Sequence, residues 1–175
     1  TTWDGTSWSN GAPDANSYAI ISGAYSTGTD GAITACYMQA DADVTIDGAT
    51  DAAIGEVLVM AGNTLTIDET SSLTVSGDFT NSGGTVTLNS TADDYSSLIV
   101  TGTASGDITY NRYVNVYDDT LGGGWDLVCS PVDMSIADFI TANSSSTQST
   151  VLSSTAGTTT TGFSGGWQLL DFSSS

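Results

Sequence analysis

Twenty acidic side chains face a single basic one, Arg112, in a chain of 175 residues that has no His. Whatever chemistry the sequence performs must therefore be done by carboxylates, hydroxyls and tyrosines. The closest acidic pairs are Asp41 with Asp43, Asp93 with Asp94 and Asp118 with Asp119. Two carboxylates suffice for glycoside hydrolysis, one as acid and one as base or nucleophile. Each pair lies in a turn-like stretch, however, where Asp is favoured because its side chain hydrogen-bonds nearby backbone. Polysaccharide lyases need a base and cationic groups that stabilise developing charge, and only Arg112 and the tyrosines are on offer. With Cys36 and Cys129 far apart and no His, no Ser–His, Cys–His or CxxC arrangement exists. The chain reads as noncatalytic.

Cation binding is the remaining carboxylate chemistry. Calcium is held by several oxygens from Asp side chains and turn carbonyls, and Asp41, Asp43, Asp47 and Asp51 crowd one short segment. They are the expected metal ligands, with Asp118 and Asp119 as a second choice, and Ca2+ is the one cofactor the composition suggests. Neither an EF-hand loop nor a GGxGxDxUx nonapeptide is present, so this expectation rests on ligand chemistry alone.

A formal net charge of −19 repels phosphates and anionic lipids, which argues against nucleic acid as a partner. No run approaches the ~20 apolar residues of a membrane span, so no membrane insertion is expected. The opening "TTWDGTSWSNGAPD" has no charged and apolar leader. We expect a soluble chain from which any export signal has been removed.

The elements that must position these side chains are announced by a repeat. "VTID" at 44–47 nearly returns as "LTID" at 65–68 and "VTLN" at 86–89, a spacing of 21 residues. Upstream, "ITACYMQADADVTID" (33–47) aligns without a gap on "IGEVLVMAGNTLTID" (54–68), placing Cys36 on Val57 and Met38 on Val59. "GDFTNSGGTVTLN" (77–89) continues the register, and "GDITYN" (106–111) follows after a one-residue slip and an inserted loop. A propeller blade takes about 40 residues, so a period near 20 fits one coil of a β-solenoid. Val44 and Ile46, Leu65 and Ile67, Leu73 and Val75, and Val86 and Leu88 alternate with polar residues and are expected to point inward. Thr45, Thr66 and Thr87 then face solvent. Gly, Asn and Asp between these segments supply the turns. The expected fold is all-β, a right-handed parallel β-helix with ~21-residue coils, an aromatic N-terminal cap and a β-rich C-terminal closing segment; the alternative is a Greek-key sandwich. Trp3 and Trp8 are the expected cover of the first coil, because large aromatics bury so much area. Left bare, solenoid ends invite end-to-end self-association.

"TWDGTSWSNGAPD", "AIISGAYST", "ITACYMQ", "GDITYNRYV" and "GWDLVCSPV" together resemble segments of large secreted surface proteins of Bacteroidetes, exported by the type IX secretion system. The similarity covers roughly residues 2–140. It implies a secreted, cell-surface location, many such proteins being adhesins or gliding-associated. "DTL" at 119–121 is similar to the short O-glycosylation pattern described in Bacteroidetes, which makes Thr120 a candidate for glycosylation.

The expected organisation is a cap at 1–16, a parallel β-helix at 17–115, a β closing segment at 116–140, and a Ser/Thr-rich connection with a terminal strand at 141–175, the whole expected to be a fragment of a longer protein. Function is read as a noncatalytic extracellular structural or adhesion module. The alternative is a carbohydrate-binding or ancillary module of a polysaccharide-active enzyme. Expected partners are extracellular glycans or proteins and other domains of the same chain. Cys36 is expected as an inward core residue, too far along the axis from Cys129 for a disulfide.

Overall fold

The computed structural model describes residues 1–113. Short segments rich in Val, Ile, Leu and Thr, punctuated by Gly, Asn and Asp, make strands too brief to stand alone. Each is held by the strand of the next coil. The chain enters through β1 (Thr2–Trp3). The first full coil contains β2 (Tyr18–Ile21), β3 (Tyr25–Ser26) and one helical turn, α1 (Thr27–Asp30). β4 (Thr34–Ala40) and β5 (Val44–Ile46) form the second, and β6 (Asp51–Met60) and β7 (Thr64–Ile67) the third. β8 (Ser72–Val75), β9 (Phe79–Ser82) and β10 (Thr85–Leu88) form the fourth. β11 (Ser97–Val100), β12 (Ala104–Ser105) and β13 (Thr109–Tyr110) complete the fifth.

All pairings between these strands are parallel. An eight-stranded sheet runs β1-β2-β4-β6-β8-β11, with β9 on the second half of β6 and β12 on β9. A five-stranded sheet runs β13-β10-β7-β5-β3. Over the described residues the fold is therefore an all-β parallel solenoid of about five coils of ~21 residues. The expectation of a stacked tetrapeptide holds. Val44 pairs with Leu65 and Leu65 with Val86, while Ile67 lies between Ile46 and Leu88. These side chains are buried, and the outward Thr45, Thr66 and Thr87 are half-exposed. The one-residue slip in the last coil also holds, since Thr87 pairs with Thr109.

The upstream half of the ungapped alignment needs correction. Met38 pairs with Val57 and Ala40 with Val59, so β4 sits two residues from the expected register. The cause is the turn that follows: the second coil goes from Ala40 to Val44 in four residues, whereas the third goes from Val59 to Leu65 in six. A two-residue shift preserves which side chains face inward, so most burial expectations survive it.

Cys36 does not. Its place lies beside Gly55, where inward–outward alternation slips: Ala35 and Met38 are both buried, as are Ile54 and Val57. The sheet turns a corner at this point. Cys36 is half-buried rather than in the core, with its Sγ 3.3 Å from the Ser17 carbonyl. Gly55 permits the close approach, because a Cβ there would collide with the Cys36 carbonyl. Cys129 lies outside the described residues.

One core column runs Ala19, Met38, Val57, Phe79, each at most 2% exposed. A neighbouring column, Ile21, Ala40, Val59, ends in a polar residue, Asn81. Its amide donates to the carbonyls of Gly84 and Asp107, and its Oδ1 accepts from the Gly84 N–H at 2.8 Å. That accounts for an amide in the core. Over the first coil, Trp3 is buried and packs edge-on against Tyr25 at 5.1 Å, with Trp8 5.5 Å from Trp3. The Trp3 indole N–H donates to the Ala24 carbonyl at 2.9 Å. The aromatic cap is thus present, and β1 within it already pairs with β2.

Candidate functional site

Four of the five strands in the five-stranded sheet are followed directly by Asp or Asn: Asp47, Asp68, Asn89 and Asn111 follow β5, β7, β10 and β13. Coil stacking brings them into one ladder. Asn111 donates its amide to Asn89 Oδ1 at 3.1 Å, and Asn89 donates to Asp68 Oδ1 at 3.0 Å. At the N-terminal end of the row, Asp47 accepts from the Ser26 hydroxyl at 2.9 Å, the Thr27 hydroxyl at 3.2 Å and the Gly28 N–H at 2.6 Å. Burial pushes the Asp47 carboxyl up, but these hydrogen bonds favour the ionised form more strongly and hold it below its ordinary value.

The four aspartates expected to bind calcium fall at two turns. Asp41 and Asp43 precede β5; Asp47 and Asp51 bracket the turn that follows it. Asp41 accepts from the Gln39 amide at 2.8 Å, Asp43 from the Thr64 N–H at 2.8 Å, and Asp51 from the Ser72 hydroxyl at 2.6 Å. Among the described residues, no group of three or more His, Cys, Asp or Glu side chains converges. These carboxylates fasten one coil to the next or brace a turn. Thr120, the candidate for glycosylation, and the pair Asp118 and Asp119 lie outside the described residues.

A different face gathers apolar side chains outward. Tyr18 and Tyr37 are neighbours on β2 and β4, their rings 5.5 Å apart. In the next outward column stand Ile20, Gln39 and Leu58, and Met60 follows on β6. Tyr18 is 63% exposed, and the other four apolar residues are half-buried. Burial first, then the charges of Asp41 and Glu56 and the neighbouring Tyr18, raise the Tyr37 phenol above its ordinary value.

Comparison with family models, curated proteins and solved structures finds no match to this chain. The site must therefore be judged on its geometry.

This outward face was not anticipated from the sequence, though a signal existed. "SYAII" and "GEVLVM" are nearly continuous apolar runs, whereas "VTID" and "LTID" alternate. In a strand buried on one side, an apolar residue at the solvent parity is the feature to explain.

Proposed function

We propose that the chain is a noncatalytic structural and adhesion module of a secreted, cell-surface protein. The observation that supports it most is the continuous parallel stack, with both sheets carried from coil to coil. Such an arrangement fixes side chains at a regular rise of ~4.8 Å along a stiff axis, which suits spacing or presenting a surface. The sequence resemblance to surface proteins exported by the type IX system supports the extracellular setting. The strong negative charge gives solubility by self-repulsion and disfavours adhesion to anionic surfaces.

Antibody raised against the full chain is expected to label intact, unpermeabilised source cells. Labelling that appears only after permeabilisation would contradict the location. Turnover of an acidic polysaccharide by the purified chain would contradict the noncatalytic role.

A further inference from the structure

The outward side of a solvated sheet is normally polar, and the five-stranded sheet obeys this with its column of Thr45, Thr66, Thr87 and Thr109. The eight-stranded sheet departs from it. Tyr18, Ile20, Tyr37, Leu58 and Met60 form a contiguous outward patch on the three adjacent strands β2, β4 and β6. Contiguous exposed apolar surface marks an interaction site. Within the patch, Gln39 accepts from the Tyr37 hydroxyl at 3.3 Å and donates to Asp41 at 2.8 Å. The Gln39 amide and the Tyr37 hydroxyl are already partnered, leaving the exposed Tyr18 hydroxyl as the one side-chain polar group of the patch without a partner among the described residues, so the patch offers packing more than hydrogen bonding. That favours apolar side chains of a protein over the hydroxyls of a sugar. Beside it stand the exposed carboxylates of Asp41 and Glu56, Glu56 occupying the register position beside Tyr37, and one strand further on is the exposed Asp78, whose Oδ1 accepts from the Thr103 N–H at 2.8 Å. A second copy would bring the same acidic rim on a molecule of charge −19, and like charges face to face disfavour pairing.

We propose that the outward face of β2, β4 and β6 docks a basic protein surface. Aliphatic or aromatic side chains of the partner cover the patch from Tyr18 to Met60, and its Lys or Arg residues meet Asp41, Glu56 and Asp78. The proposal deepens the adhesion reading by naming the class of partner, yet it does not depend on where the protein is located.

The full chain is titrated, with fluorescence anisotropy as readout, against a synthetic peptide of alternating Lys and Leu. A peptide of equal length and charge, with Ser replacing Leu, is the control. The wild-type chain is expected to bind the Lys–Leu peptide about tenfold tighter than the control, the contribution of a few covered side chains. The triple variant Tyr18→Thr, Leu58→Thr, Met60→Thr keeps β-favouring residues at outward positions and should lose that preference, with its circular dichroism melt confirming the fold. A double variant, Asp41→Asn with Glu56→Gln, should weaken Lys–Leu binding and flatten its salt dependence. Equal binding of both peptides, no binding, or a triple variant that binds as the wild type would each overturn the proposal. So would a neutral oligosaccharide, or a dimer in sedimentation velocity, that the triple variant abolishes. Cell-surface labelling is independent of all these outcomes, so failure of the docking face and failure of the extracellular reading remain distinguishable.

Discussion

Ile67 has no exposed surface and lies between Ile46 and Leu88 in the stack. Replacing it with Asp would bury an unpaired carboxylate, at a cost on the order of several kcal/mol. Ile67→Asp should therefore unfold the coils. The adjacent Thr66 points outward, and Thr66→Asp should lower stability by only about 1 kcal/mol. Similar melting temperatures for the two variants would contradict the facing of this strand. Asp47 links β5 to the preceding coil through charge-assisted hydrogen bonds, and Asp47→Ala should remove about 2 kcal/mol. The pH dependence follows from the sign of the shift. The Asp47 carboxyl lies below its ordinary value when folded, as do Asp4, held by N–H groups of Ser7 and Thr6 and the Thr6 hydroxyl, and Asp14, held by Ser17 and Asn16. Such groups contribute stability that is complete above the unfolded carboxyl pKa of about 3.9 and is lost as pH falls through the lower folded values. Urea midpoints should drop on acidification to about pH 2, and drop less in Asp47→Ala.

At the scale of elements, the ladder beside the five-stranded sheet sets two amides against the Asp68 carboxylate. Asn89 offers an amide N–H to Asp68 and an oxygen to Asn111. Asn89→Asp keeps the shape but sets one carboxylate against another. Two carboxylates sharing a site cannot easily both ionise, so this variant should be destabilised at neutral pH and recover toward wild type as acid protonates one member. Thermal melts at pH 7 and about pH 4 would show the narrowing. The corner of the eight-stranded sheet offers a second contrast. A Cβ at Gly55 meets the Cys36 carbonyl, a backbone group that cannot swing aside, whereas a Cβ at Gly62 meets nothing within 4 Å. Gly62→Ala should cost only about 1 kcal/mol, from its φ of +83°. Gly55→Ala should cost several times more, as chemical denaturation would measure.

For the molecule as a whole, the stack is one-dimensional, so its first rung needs cover. Trp3 supplies it, with 5% of its surface exposed and its ring against Tyr25 and Trp8. Trp3→Ala should reduce stability by about 3–5 kcal/mol, read as a lower guanidinium midpoint. A change below about 1 kcal/mol would mean that the first coil does not rely on this cap.

The sequence by itself determined the parallel stack, most of its inward residues and its aromatic cover. A 21-residue period joined to period-two alternation leaves few other ways to bury Val44, Leu65 and Val86 together. It could not determine the register of β4, because shifts of two residues leave every side chain on the same face; only the shorter turn from Ala40 to Val44 decided it. Nor could it determine the corner that takes Cys36 out of the core, which arises from close backbone packing at Gly55. The aspartates 41, 43, 47 and 51 are neighbours along the chain, yet the coil path divides them between two turns. Tyr18, Tyr37 and the pair Leu58 and Met60 are distant along the chain, and tertiary stacking makes them one surface. In a solenoid, residues about one coil apart become nearest neighbours, so a surface patch is assembled across coils and its members seldom adjoin in sequence.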